Sequence, residues 1–410
     1  QPGTGMAPMA RLVRGGNLPL SFSQRRLWFL QNVDGALAAA YRIPALFRID
    51  GELDGAALAQ ALNFLAVRHE ALRTGIREVA GEPRQEIVPQ LTIALPVTDL
   101  SGLPPDAAEA EWRRLAALDA RALFDLARAP LWRAQLVKLA QKDHVLILNF
   151  HHIIADGSSL AICYRELASS YESCRRNEVA PSVSLPLQYA DYAGWQQQWL
   201  DSPAAAAQLD YWKGNLAGRA APTSIPSDFA RAAVRSYRGA KIARRLPADL
   251  SSALTGFNRQ QGVTSFMTWL AAFSVLLSRL GGQADVVLGC TVAGRNRAEM
   301  ENVIGFFINA LPLRVDLAGN PSFASLLRRV REVCLNAYSN QELPFEKLVE
   351  EINPARDPSR NPLFDILFNV ADMSERKFSL GDCQIDKIIE SAPGAKFDLV
   401  LSAPAVNGSV

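Results

Sequence analysis

The sequence predicts an α/β protein in two lobes, and three observations carry that prediction. Its 410 residues, 49% of them hydrophobic, suffice for two cores of ordinary domain size. The run HVLILNF, His144 to Phe150, is apolar on both faces, as a central strand covered on both sides requires. In the second half, helix-period and strand-like segments alternate, the pattern of layered α/β folds.

The opening, QPGTGMAPMARLVRGGNLP, is rich in Pro and Gly and lacks the apolar stretch of a secretory signal. Residues 1–17 therefore read as a linker, and the chain as a piece of a longer one. Asp54 is a suitable N-cap for a helix over Gly55 to Ala71, where Leu58, Leu62 and Leu65 recur at helical spacing before RHEALRT. After the strand at 144–150, Leu160, Cys163 or Tyr164, Leu167, Tyr171 and Cys174 form a helical stripe. NEVAPSVSLP, Asn177 to Pro186, loses that periodicity and gains two prolines. The lobe boundary is placed there, giving an N-terminal lobe over 18–178 and a C-terminal lobe over 179–410.

Beyond it come a helix from Phe266 to Leu280, strand-like DVVLGCT (Asp285 to Thr291) and IGFFINALPLRV (Ile304 to Val315), and a helix near Phe323 to Ala337. The apolar stretch MTWLAAFSVLLSRL, interrupted by Ser274 and Ser278, falls short of the roughly 20 residues of a membrane span and reads as a core helix. With 43 basic and 41 acidic residues the net charge is +2, which favours neither nucleic acid nor an anionic membrane. Cys163, Cys174, Cys290, Cys334 and Cys383 are odd in number and lack zinc or disulfide spacing, which suits a reducing, cytoplasmic compartment.

The segment NFHHIIADGSS, Asn149 to Ser159, holds two of only four histidines, on the connection from a buried strand to a helix. A lone histidine at a strand end is more often a well-bonded structural residue. Here the context shifts the balance, because imidazole is the side chain poised to accept and donate a proton near neutrality. Adjacent strand residues face opposite ways, so one of His151 and His152 can face a given cleft. Asp156 is placed to fix the loop or an imidazole, and Gly157 to permit a tight turn. Neighbouring histidines seldom ligate one metal, and His69 and His144 show no ligand spacing. A serine hydrolase lacks support, for there is no GxSxG elbow around Ser158 or Ser159. An acyltransferase-like site remains, with one histidine handling a nucleophile's proton.

HHIIADG fits the HHxxxDG signature of the chloramphenicol acetyltransferase-like superfamily. Six further segments, in the same order along the chain, look like motifs of one branch of it. They are LPLSFSQRRLWFL (Leu18 to Leu30), RHEALRT (Arg68 to Thr74), YADYAGW (Tyr189 to Trp195), IGFFINALPLR (Ile304 to Arg314), NQELPFEKLV (Asn340 to Val349) and RDPSRNPLFDILFN (Arg356 to Asn369). The chain thus resembles, over nearly its whole length, the condensation domains of non-ribosomal peptide synthetases.

That resemblance implies two chloramphenicol-acetyltransferase-like lobes in a V-shaped pseudo-dimer with a central tunnel. It implies donor and acceptor peptidyl carrier proteins presenting substrates on 4'-phosphopantetheine arms, a neighbouring adenylation domain, and no intrinsic cofactor, metal, nucleic acid or membrane. His152 is then the catalytic residue, with His151 and Asp156 in support and Gly157 as a backbone hinge. Backbone N–H groups around Gly157, at the start of a helix, are candidates to hold the oxyanion. Arg68 and Arg73 match family positions, although an Arg at a helix end more often makes a structural ion pair. Arg295 is expected to pair with Asp156 across the lobes, with Arg314 as runner-up. Trp195 and Asn309 match positions near the lobe interface, where packing or bonding also accounts for them. Gln341, Pro344 and Phe345 either shape the acceptor-side wall or pack a buried loop.

The implied reaction is attack of a carrier-bound amine on a carrier-bound thioester, of the type taking an L-configured donor. Two departures stand out: Ser158 replaces a frequent Trp after DG, and Gly194 gives AGW for the commoner AVW. The first leaves room for dehydration of a tethered Ser or Thr to a dehydroamino acid. A third alternative is an idle platform that docks carriers or a tailoring enzyme. KFDLVLSAPAVNGSV ends where related chains continue, so the last strand and helix of the second lobe are expected to be missing.

Overall fold

The structure, a computed structural model, describes residues 8–33, 41–178, 184–219, 223–354, 357–371, 378–388 and 395–404. The chain is α/β, in two compact units. Unit 1 takes residues 1–199, 295–307 and 376–392, and unit 2 takes 200–294, 308–375 and 393–410.

Unit 1 runs through β1 (Leu18–Pro19), α1 (Phe22–Val33), β2 (Arg42–Asp50), α2 (Gly55–Arg68), a 3-10 turn (Glu70–Arg73), β3 (Thr74–Val79), β4 (Glu82–Ile87) and β5 (Val97–Asp99). It continues with α3 (Pro105–Arg121), β6 (Trp132–Ala140), β7 (Asp143–His151), α4 (Gly157–Arg175) and α5 (Tyr189–Leu200). Unit 2 holds α6 (Pro203–Leu216), α7 (Ala248–Gln261), α8 (Ser265–Gly281), β8 (Asp285–Val292), β9 (Asn309–Asp316), α9 (Phe323–Ser339), α10 (Phe345–Ile352), β10 (Ile366–Ala371) and β12 (Leu399–Pro404). The intervening β11 (Gln384–Ile388) returns to unit 1.

The main sheet of unit 1 has the order β11-β2-β7-β6-β5, so β7 is its central strand. Antiparallel β2 and β6 flank β7 on either side. One face packs Leu46, Val137, Val145 and Ile147 against Ala108, Trp112 and Ala116 of α3. On the other face Phe47 meets Tyr164 of α4 edge-on at 5.0 Å. Burial on both faces explains why residues 144–150 carry no alternation of polar and apolar side chains. Asp54 caps α2 by accepting from the N–H groups of Ala56 and Ala57 at 2.9 Å. That helix stops at Arg68 instead of Ala71, because His69 closes it and the chain tightens into the 3-10 turn.

Unit 1 extends beyond the expected boundary at 178/179, part of which, 179–183, lies outside the described residues. The physical reason is α5, buried along most of its length, whose enclosed Asp191 takes Arg14 in a forked ion pair at 2.7 and 3.0 Å. Arg14 also reaches Glu70 at 2.8 Å, and Leu12 N–H donates to Asp191 at 2.7 Å. Burial works against the Asp191 charge, but these bonds outweigh it and hold the carboxyl below its ordinary pKa. Residues 8–17, within the expected linker, are therefore seated on unit 1.

Unit 2 is built on the sheet β12-β10-β8-β9, with β10 parallel to β8 and β12 and β9 antiparallel to β8. Thr264 caps α8, whose Leu270, Ala271 and Leu277 are fully buried, as the core-helix expectation requires. No single helix among the described residues is long and apolar enough to cross a membrane. The strand expected over 304–315 begins only at Asn309. Gly305 and Phe307 give their N–H groups to Ser159 and Asp156, which removes both from any sheet ladder.

Candidate active site

The site grows from the end of β7. His151 pairs with Arg42 of β2, and the chain then turns through 152–155 into α4. His152 donates its backbone N–H to the Tyr41 carbonyl at 2.7 Å, and its Nδ1 lies 3.0 Å from the Ala155 carbonyl. A carbonyl only accepts, so that contact places the proton of a neutral imidazole on Nδ1 and the basic lone pair on Nε2. The half-buried ring packs edge-on against Phe306 at 5.2 Å and Tyr41 at 6.5 Å.

His151 has the opposite tautomer. Its Nδ1 accepts the Ile153 N–H at 3.1 Å, so a neutral ring carries its proton on Nε2. It is 2% exposed and lies edge-on to Phe124. Its position is that of a loop brace.

Asp156 is buried at the N-cap of α4 and accepts three ways. Oδ1 takes the Ser159 N–H at 2.8 Å, Oδ2 takes the Phe307 N–H at 3.0 Å, and Arg295 approaches Oδ1 at 3.4 Å. Arg295 bonds more closely to the Ser159 hydroxyl, at 2.7 Å, and to the carbonyls of Met300 and Val303, at 2.6 and 2.7 Å, while its guanidinium lies over the Phe307 ring. Asp156 and Arg295 both belong to unit 1. Arg314 sits in unit 2, where it forks onto Asp285 at 2.9 Å.

Gly157 is the first residue of α4 and its φ is not left-handed. A Cβ placed there meets nothing within 4 Å. A tight turn does not require glycine at this position, so the hinge reading finds no backbone basis. The N–H groups of Gly157 and Ser158 have no acceptor among the described residues.

The remaining residues divide between the two units. Arg68 pairs with Glu166 of α4 at 3.0 Å, beside His69, whose Nε2 lies 2.7 Å from the same carboxylate. Burial pushes the Glu166 pKa up, but the His69 bond and the charges of Arg68 and Arg165 outweigh it and hold it low. Arg73 donates to the Val88 carbonyl at 2.6 Å. Trp195 is buried on α5 beneath the Arg297 guanidinium, 5.1 Å away. In unit 2, Asn309 donates to the carbonyls of Gln341 and Leu343 and accepts the Phe345 N–H at 3.0 Å, fastening the loop that leads into α10. Pro344 and Phe345 are buried there, Phe345 against Phe364 at 5.3 Å.

Sequence reasoning overlooked three polar residues of the site: Ser21, Gln24 and Tyr189. Each is at most 2% exposed; Gln24 bonds to the Ile153 carbonyl, Tyr189 to the Phe306 carbonyl, and Ser21 to the Tyr189 hydroxyl. The pattern S-x-x-Q ahead of an apolar run was the available signal for the first two. Among the described residues no cluster of His, Cys, Asp and Glu is arranged to hold a metal.

A family model described as Condensation domain matches residues 15–410. A linear gramicidin synthase chain of Brevibacillus parabrevis is 43% identical over 403 residues, covering 97% of this chain and 8% of that protein. Chondramide synthase cmdD of Chondromyces crocatus is 39% identical over 404 residues, covering 98% of this chain and 10% of that protein. This chain therefore spans a small fraction of the length of these relatives. Among solved structures, the complex of the X-domain and OxyB from teicoplanin biosynthesis aligns at TM-score 0.88 and 29% identity, covering 98% of this chain and 87% of that one. The first condensation domain of the CDA synthetase aligns at TM-score 0.76 and 24% identity over 96% of this chain and 91% of its own, a likeness of fold.

Proposed function

Because the chain belongs to the condensation-domain family, we propose that it forms an amide bond between two carrier-bound substrates, with His152 as the catalytic residue. The α-amine of an aminoacyl group on one carrier attacks the thioester carbonyl of an L-configured donor on the other. The C–N bond forms, the C–S bond breaks, and the proton shed by nitrogen passes through His152 Nε2 to the departing thiolate. An α-amine with a pKa near 8 is substantially neutral at working pH, so strong base catalysis is not needed. Holding the two tethered substrates in line supplies much of the acceleration.

The observation that carries this reading is the contact of His152 Nδ1 with the Ala155 carbonyl, which leaves Nε2 as the proton acceptor. The N–H groups of Gly157 and Ser158, at the positive end of α4, suit the developing oxyanion. His151, Asp156 and Arg295 hold the loop. Arg68, Arg73, Trp195, Asn309 and Arg314 serve the surrounding structure. The partners are a donor and an acceptor carrier with phosphopantetheine arms, within a cytoplasmic assembly that includes an adenylation domain.

The alignment with the teicoplanin X-domain, solved in complex with OxyB, favours a second reading, a platform that docks a tailoring enzyme. One experiment separates the two. Donor carrier loaded with a peptide ending in Ser and acceptor carrier loaded with an amino acid are incubated with the domain or with His152→Ala, and both carriers are followed by intact mass. A His152-dependent mass gain on the acceptor carrier establishes condensation. Loss of one water from the donor or the new peptide identifies dehydration. Neither change, with both carriers bound, overturns catalysis and leaves the platform.

A further inference from the structure

Ser21 immediately precedes α1, and Gln24 is the third residue of that helix. The two form a capping box: Gln24 N–H donates to Ser21 Oγ at 3.1 Å, and Ser21 N–H donates to Gln24 Oε1 at 3.2 Å. A box of this kind on a helix surface leaves its remaining hydrogens to water. Here both side chains are buried, and each also bonds toward the His152 surroundings.

Gln24 Nε2 donates to the carbonyl of Ile153, the residue after His152, at 3.0 Å. Ser21 Oγ lies 2.7 Å from Tyr189 Oη, and Tyr189 Oη donates to the Phe306 carbonyl at 2.6 Å. Tyr189 has one proton and a carbonyl has none to give, so the tyrosine proton lies toward Phe306 and Ser21 must donate to Tyr189. Burial raises the Tyr189 pKa well above its ordinary value, which keeps that proton in place. The direction is thus fixed along the whole chain of bonds, from Gln24 N–H through Ser21 and Tyr189 to the Phe306 carbonyl. The Tyr189 ring also occupies the space where a Cβ on residue 305 would stand, so Gly305 alone lets it approach. Phe306, whose carbonyl ends the chain, presents its ring to the His152 imidazole at 5.2 Å.

We infer that Ser21, Gln24 and Tyr189 are positioning residues for His152, holding the imidazole from two sides through Ile153 and Phe306. The kinetic limb of this inference rests on the catalytic reading of His152; the geometric limb does not. Helix capping and catalysis share one pair of side chains, and substitutions exist that separate them.

Gln24→Glu retains an acceptor for the Ser21 N–H and removes the donor to Ile153. Tyr189→Phe keeps the ring under Gly305 and removes the hydroxyl. The four histidines of the chain permit assignment of the His152 imidazole by NMR, by difference from His152→Ala. Asp54→Ala, which uncaps α2, is the destabilised control. In Gln24→Glu and Tyr189→Phe the His152 ring resonances and titration midpoint are expected to move, and kcat to fall about 10- to 100-fold with KM for the loaded carriers within about twofold. Asp54→Ala moves neither. Folded Gln24→Glu and Tyr189→Phe whose His152 resonances superimpose on the parent overturn the inference. Full turnover by His152→Ala defeats the catalytic reading instead, and the resonances alone then decide whether the two side chains position the ring.

Discussion

Ser159 holds Gly305 by both of its backbone polar groups. The serine hydroxyl donates to the Gly305 carbonyl at 2.7 Å and accepts the Gly305 N–H at 3.0 Å, across 146 residues of chain. The same oxygen receives Arg295 at 2.7 Å. Asp156 and Ser159, at the start of α4, thereby fasten residues 305–307 beside the His152 loop.

Ser159→Ala strands the Gly305 N–H and carbonyl and one arm of Arg295 in the interior. A cost of about 2–3 kcal/mol is expected, read as a lower urea midpoint at unchanged slope. Ser158→Ala, at the neighbouring half-buried position without such bonds, stays within about 0.5 kcal/mol.

Gly194 faces Leu12, whose Cδ1 lies 2.7 Å from the point where a Cβ on residue 194 would stand. Gly194→Val therefore displaces Leu12 and loosens the Arg14–Asp191 pair beside it. The expected loss is about 1–3 kcal/mol, with faster tryptic cleavage after Arg11 and Arg14 under native conditions. An unchanged cleavage rate counts against the seat.

His144, on β7, is 6% exposed. Burial lowers its pKa, and of its charged neighbours Lys138 adds to that shift while Asp143 and Asp99 oppose it. Below the ordinary histidine value of about 6.5 the unfolded chain binds a proton that the folded chain refuses. Its contribution to stability is therefore flat above about pH 6.5 and falls as the pH drops through that value toward the lowered folded pKa. His144→Asn should remove this part of the slope between about pH 7.5 and pH 5.5, measured by urea unfolding.

The thiols should react in an order set by burial. Burial and the nearby Glu166 charge push Cys163 up to about 12, burial alone pushes Cys334 up to about 12, and Cys290 is raised as well. At pH 8 a pKa of 12 leaves about one thiolate in 10⁴, so labelling of the native protein by a disulfide reagent begins at half-buried Cys174. The buried four follow on unfolding. Labelling of Cys163 or Cys334 ahead of Cys174 contradicts the packing described.

Much of the fold was legible because its signals are local. Asp54 at an N-cap, Leu58, Leu62 and Leu65 on one helix face, and the doubly apolar β7 each declare themselves within a dozen residues. The start of β9 was misplaced because the fate of residues 304–308 depends on Asp156 and Ser159, far away in sequence. The same holds for residues 8–17, where Arg14 carries no mark of its partner Asp191. At the site, the two histidines announced themselves by rarity. Ser159 and Tyr189 did not, since a hydroxyl becomes informative only when burial fixes where its one proton goes. Gly194, noticed only as a departure, acquires a reason once Leu12 is beside it.

Unit 1 draws on three separate stretches of chain, and two of them, 295–307 and 376–392, are separated from the first by sequence that belongs to unit 2. Exchange of halves between homologous condensation domains by a single crossover near residue 200 would thus pair a foreign 295–307 with the native α4, and a foreign β11 with the native edge of β2. A working hybrid carries those two short stretches with the first half. Unit 1 is a set of three fragments, and a library with one splice point divides them.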